Sequence, residues 1–225
     1  PAPQASLAVQ GTDARFPIRR IFCVGRNYGA HAREMGNDPT REAPFFFTKP
    51  ADAALNTPCT IPYPPQTEDL HHEIELVIAI GKGGRNIAEE DVMDHVWGAS
   101  VGIDLTRRDL QAEAKKAGRP WDWGKAFDNS APIAPLKPIA DVPSVEQGRI
   151  WLAVNGTVRQ DADLADLIWS VREHVAILSH SMSLAPGDII MTGTPAGVAA
   201  LVEGDVVTGG VDGIATLEVA IGPRA

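Results

Sequence analysis

Leu70-His-His-Glu-Ile-Glu-Leu-Val-Ile-Ala-Ile80 decides how this chain is read. Successive strand residues point to opposite faces, so Ile74, Leu76, Ile78 and Ile80 share one face and Glu73, Glu75, Val77 and Ala79 the other. Both faces are largely apolar, which places this strand inside a core, yet one of them carries two carboxylates.

Working outward, residues 18–24 read as a buried strand, followed by Gly25-Arg-Asn-Tyr28 and a short helix over residues 30–35 that stops at Gly36. Residues 44–49, Pro-Phe-Phe-Phe-Thr-Lys, read as another buried strand, and the Pro-rich residues 58–65 as extended edge structure. Asn86 is placed to cap a short helix over residues 88–95, and residues 99–104 return as a strand. Thr106 and Asp109 have capping-box spacing for a helix over residues 106–117, closed by Lys115, Lys116 and Gly118. Ser170 and Glu173 start a second helix that runs to about residue 182. Leu184-x-x-Gly187-Asp188-Ile-Ile is echoed by Leu201-x-x-Gly204-Asp205-Val-Val. Each reads as a tight turn entering a β-branched strand, as in a roll or barrel of short strands. The small, polar residues 1–15 read as a loose arm before one β-rich α+β domain over residues 16–225, with short peripheral helices.

At 225 residues with 44% hydrophobic and 22% charged side chains, the chain buries an ordinary core; Gly 21 and Pro 18 fit many turns. A net charge of −9 disfavours nucleic acid and anionic membranes as partners. The apolar run 76–80 is too short to cross a bilayer, and Cys23 and Cys59 form no CxxC or disulfide framework. These features give the expectation of a cytoplasmic protein.

Glu73 and Glu75 would repel unless one takes a proton or a cation lies between them. Oxygen ligands select a hard cation, Mg²⁺ with Mn²⁺ or Ca²⁺ as alternatives. The competing reading is two solvated glutamates on a half-exposed strand. Asp104, ending its expected strand, would add a third carboxylate and leave coordination positions open for water and substrate. His31 and Glu34, three apart on a helix, can form a pair in which the carboxylate holds one imidazole nitrogen and the other takes a proton from water. The same spacing also suits an ordinary surface pair. Arg108 and Gln111 share a helix face near Asp104, Lys125 follows Trp121-Asp-Trp123-Gly, whose aromatics imply partial burial, and Arg107 reads as a solvated neighbour. Beside a metal, Arg108, Gln111 and Lys125 would suit a carboxylate and a developing oxyanion. Thr192-Gly-Thr-Pro195 is a turn that can offer N–H groups and a hydroxyl to an anion. No GxGxxG, P-loop or G-x-S-x-G stretch occurs, so nucleotide binding and serine hydrolysis have no support.

Together, Gly25-Arg-Asn-Tyr28 with His31 and Glu34, Pro44-Phe-Phe-Phe-Thr-Lys-Pro50, His72-Glu-Ile-Glu75, Asp104-x-Thr-x-Arg-Asp-x-Gln111, Lys125 and Thr192-Gly-Thr-Pro195 resemble the fumarylacetoacetate hydrolase superfamily, in its acylpyruvate hydrolase branch. The resemblance implies a mixed β-roll or sandwich core, a homodimer and Mg²⁺ on Glu73, Glu75 and Asp104. It implies His31 and Glu34 as the water-activating pair on a lid, Lys125 as catalytic, and Arg26, Arg108, Gln111 and Thr194 as contacts to a small anionic 2-oxo acid. Arg26 stands where the long members of the family place a fourth acidic ligand, which fits an acylpyruvate better than fumarylacetoacetate. The implied reaction cleaves a carbon–carbon bond, best fumarylpyruvate to fumarate and pyruvate. The alternatives are oxaloacetate decarboxylation, isomerisation or decarboxylation of an aromatic-catabolism intermediate, and a catalytically silent binder.

Overall fold

The computed structural model describes residues 4–29 and 42–224. At its centre lies the strand Ile74–Ile80, buried at every position. It pairs antiparallel with Val96–Ile103 on one side and Asp188–Met191 on the other. Beyond Asp188–Met191 the sheet continues through the parallel strand Arg20–Gly25 to the edge strand Phe45–Lys49. Beyond Val96–Ile103 it runs through Ala131–Ile133 to Ala54–Asn56, and Lys137–Pro138 also pairs with Val96–Ile103. A second, five-stranded sheet has the order Thr157–Asp163, Arg149–Val154, Val206–Val211, Ala215–Arg224, Cys59–Tyr63.

The two faces of the central strand enter two cores. Ile74, Leu76, Ile78 and Ile80 pack with Ile150, Leu152, Val207 and Leu217 of the second sheet. Val77 and Ala79 pack with Leu7, Phe16, Ile18 and Ile189. The expectation of a β-rich α+β fold holds, and no described helix is long and apolar enough to cross a membrane.

Several local expectations change. The supposed loose arm contains an antiparallel hairpin, Ser6–Ala8 with Arg15–Pro17, and Leu7 is fully buried. Each such apolar side chain contributes about 1.5–3 kcal/mol by leaving water, so isolated residues in a polar stretch suffice to dock it. The 70–80 stretch breaks at His72-Glu73, and Leu70–His71 joins a small sheet between Thr106–Arg107 and Ala200–Leu201. Phe45–Lys49 is only half-buried because it lies at a sheet edge. The helix expected over residues 106–117 spans Arg108–Ala117, and the Thr106–Asp109 capping box does not form. Thr106 is in a strand with its hydroxyl bound by Lys125, while the Asp109 carboxylate accepts from Thr67 Oγ1 and Glu68 N. Asn86 takes a left-handed φ of 51° and caps nothing; a 3₁₀ segment Glu89–His95 follows. The Ser170–Glu173 capping box does form, opening the helix Val171–Ser181. The internal echo is physical, since Asp188 and Asp205 each accept from a backbone N–H three residues earlier, of Ala185 at 2.9 Å and Val202 at 2.8 Å.

Candidate active site

Strand register assembles the carboxylates. Ile74 lies opposite Ile103 and Glu75 opposite Gly102, so Glu73 and Asp104 follow the paired ends, and Asp104 N donates to Glu73 O at 2.8 Å. Glu73, Glu75 and Asp104 are all buried, with ligand oxygens within 4.8 Å of one another. Glu75 Oε2 accepts from Gly193 N at 2.8 Å. That turn needs glycine, because φ is +100° and a Cβ would lie 2.7 Å from Asn27 Cβ. Asn27 itself, fully buried, donates to Thr192 O and Trp169 O and so fixes the turn.

Basic side chains brace the other two carboxylates. Lys125 Nζ donates to Glu73 Oε2 at 2.8 Å, Asp104 Oδ2 at 2.6 Å and Thr106 Oγ1 at 2.7 Å, which engages all three of its N–H groups. Lys49 pairs with Asp104 Oδ1 at 2.8 Å, both side chains fully buried. Arg108 Nη2 donates to Glu73 Oε1, its Nη1 to Gln111 Oε1 at 2.7 Å. Burial opposes the charge on Lys125, but Asp104 and Glu73 outweigh it and raise its pKa. Glu75 has no ion-pair partner among the described residues. Burial, then the Asp104 and Glu73 charges, pushes its carboxyl well above the usual range. A buried carboxylate in that position calls for a cation, so this donor set fits a hard divalent ion.

The triad floors a cleft whose walls include Arg26, Arg108, Gln111, Lys125 and Thr194. The polarity of two walls is set by their partners. Gln111 Oε1 accepts from Arg108, leaving its –NH₂ as donor. Thr194 Oγ1 accepts from Gln160 Nε2 at 2.8 Å, so the hydroxyl hydrogen is available to a ligand. Gln160 is fully buried and saturated: Nε2 also donates to Pro195 O, and Oε1 takes Ile74 N and His72 Nδ1. The structure thus brings together Glu73, Glu75, Asp104, Arg26, Arg108, Gln111, Lys125 and Thr194. His31 and Glu34 lie outside the described residues.

Sequence reasoning missed Lys49 and Gln160 as braces and Lys115 as a cleft residue. Lys49 had one usable signal, a lysine closing an apolar strand; Gln160 sits in a polar strand and had none. Arg107, expected in solvent, is buried and stacked 4.4 Å from the Phe127 ring centroid. Phe45, Phe47 and Trp121 line the cleft, Phe47 also packing against the Val77 core, whereas Trp123 is 72% exposed.

Known proteins share this arrangement's scaffold. Fumarylpyruvate hydrolase of a Ralstonia species is 44% identical over 186 residues, 83% of this chain and 96% of that protein. Mitochondrial oxaloacetate tautomerase FAHD1 of Arabidopsis thaliana is 40% identical over 199 residues, covering 88% and 89%. The crystal structure of fumarylpyruvate hydrolase from Pseudomonas aeruginosa in complex with Mn²⁺ and pyruvate superposes with a TM-score of 0.96 at 51% identity, covering 99% of this chain and 98% of that one. The model of the fumarylacetoacetate (FAA) hydrolase C-terminal domain matches residues 20–221, and on that span the chain belongs to the fumarylacetoacetate hydrolase family.

Proposed function

We propose that the protein hydrolyses the carbon–carbon bond of an acylpyruvate with a divalent cation, and that fumarylpyruvate, giving fumarate and pyruvate, is its substrate. The observation that carries the reading is the buried Glu73–Glu75–Asp104 cluster under a cleft of basic side chains. The Pseudomonas relative holding Mn²⁺ and pyruvate supports it. Glu73, Glu75 and Asp104 would hold the ion, Mg²⁺ or Mn²⁺, which when bound supplies Lewis-acid stabilisation of the 2-oxo acid.

The remaining chemistry belongs to side chains. Thr194 donates its hydroxyl hydrogen, and Arg108 its unshared N–H groups, to the carboxylate of the pyruvyl end. His31, held by Glu34, takes a proton from water, whose oxygen attacks the distal acyl carbonyl. The Gln111 –NH₂ faces the oxyanion that forms. The carbon–carbon bond breaks, the acyl group leaves as a carboxylic acid, and a proton added to carbon completes pyruvate. Lys125, first read as an oxyanion stabiliser, is assigned instead to hold Glu73 and Asp104, because its N–H groups are all engaged there.

The Arabidopsis relative favours a second reading, keto–enol interconversion of oxaloacetate on the same site. Enol absorbance followed in parallel for fumarylpyruvate, acetylpyruvate and oxaloacetate, with Mg²⁺ or Mn²⁺ and then EDTA, separates the two. The largest kcat/KM is expected for fumarylpyruvate, with fumarate and pyruvate as products, abolished by EDTA and by His31→Ala. Interconversion of oxaloacetate with no acid released from either acylpyruvate would overturn the hydrolase reading.

A further inference from the structure

Two cations at the cleft have no role in holding the triad. Positions 108, 111 and 115 share one face of the helix Arg108–Ala117, so Lys115 reaches the same cleft as Arg108 and Gln111. Arg26 enters it from the end of the strand Arg20–Gly25, at a φ of +55°. Each cation lies on an aromatic ring. The Arg26 guanidinium is 5.4 Å from the Phe45 centroid, and Lys115 Nζ is 6.0 Å from that of Trp121. The two rings meet edge to face at 5.4 Å, forming one wall flanked by two positive charges. Among the described residues neither cation has a carboxylate within ion-pair distance, whereas Arg108, Lys125 and Lys49 are bound to Glu73 or Asp104. Burial, followed by the charges of Arg26 and Arg108, pulls the Lys115 pKa down, and Glu73 opposes the shift.

We propose that Lys115 and Arg26 form a subsite for a second carboxylate, making the cleft select acylpyruvates whose acyl arm ends in one. The inference rests on the reaction proposed above, which seats the pyruvyl end over the triad. A flat, unsaturated arm then lies along Phe45 and Trp121, and its terminal carboxylate meets the two cations.

The test compares kcat/KM for fumarylpyruvate and acetylpyruvate in the wild type, Lys115→Gln, Lys115→Arg and Arg26→Gln. Lys115 is exposed on a helix, so Lys115→Gln keeps the fold. The glutamine variants should lose about tenfold or more on fumarylpyruvate, mostly in KM, with acetylpyruvate nearly unchanged; Lys115→Arg should keep the preference. Equal losses on both substrates, or an unchanged ratio, would overturn the subsite while leaving the hydrolysis standing. A wild type inactive on both substrates would sink the proposed reaction instead. The subsite is then read by calorimetry, where Lys115→Gln must weaken oxaloacetate binding more than pyruvate binding or the proposal fails.

Discussion

Replacing Lys49 by methionine removes a buried ammonium while nearly keeping its length. Lys49 and Asp104 are 2.8 Å apart with both side chains fully buried, and Lys49 also donates to Leu105 O at 3.2 Å and to Lys125 O. Removing one member of a buried pair costs about 3–5 kcal/mol, and the lower figure applies here because Lys125 Nζ still holds Asp104 Oδ2 at 2.6 Å. For 225 residues, an unfolding entropy of roughly 2.1 cal/mol/K per residue makes each degree of Tm worth about 0.5 kcal/mol, so the metal-free variant should melt roughly 6 °C lower. Asp104 is also a proposed ligand, so a divalent ion should take the place of the lost cation at Oδ1 and restore part of the loss. Calorimetry of EDTA-treated protein, then with excess Mg²⁺, reads both effects. Arg149→Ala is the control, because its two bonds to Asp161 measure 2.8 and 2.9 Å but solvent reaches both partners. Water screens that pair, and its loss should leave Tm unchanged within error. A Lys49→Met shift no larger than the Arg149→Ala shift would refute the argument that burial, not geometry, makes the pair matter.

Three further outcomes follow from the same contacts. Glu75→Gln removes a carboxylate that has no ion-pair partner among the described residues and that burial and its neighbours disfavour, so the metal-free protein should melt no lower than wild type. The rise in Tm on adding Mg²⁺ should disappear; a retained rise would remove Glu75 from the ligand set. His174 is fully buried and its pKa is pushed down to about 4, chiefly by burial. The unfolded chain takes up that proton near pH 6.5, so the His174 contribution is complete above about 6.5 and is lost as pH falls towards 4, by roughly 3 kcal/mol. Urea midpoints at pH 7.5 and 4.5 should therefore converge in His174→Gln relative to wild type, and an identical pH slope would refute this. Gln160→Met frees Thr194 from the bond that fixes its hydroxyl, so pyruvate binding by calorimetry should weaken about three- to tenfold, a loss of roughly one hydrogen bond. In a Thr194→Ala background the same change should add nothing, and additive losses would deny the coupling.

The chemistry legible in the sequence is the part that lies close together along the chain. Alternation put Glu73 and Glu75 on one face; Glu75 lies in the strand Ile74–Ile80, both faces of which are covered, and Glu73 stands just before it. Spacing does not say which strand lies alongside, and the braces depend on that. Lys49 meets Asp104 although three strands separate Phe45–Lys49 from Val96–Ile103 in the sheet order, and Gln160 meets Thr194 across 34 residues. Arg107 shows the same limit locally. Reading the helix from Thr106 sends that side chain to solvent, but the backbone is still extended at 107, and a strand residue alternates inward, onto Phe127. Charge followed a similar course. A net −9 should repel the proposed dianionic substrate at long range, yet solvent ions screen exposed charges beyond about 8–10 Å. Within that distance the cleft holds Arg26, Arg108, Lys115 and Lys125. Three carboxylates with Lys49 and Lys125 between them are nearly balanced before any metal arrives, so each added positive charge, from an ion or from the mouth of the cleft, is left for the substrate to answer. Under the proposed subsite a monoanion answers too few of them, and the acidity of the whole molecule has no bearing on that local count.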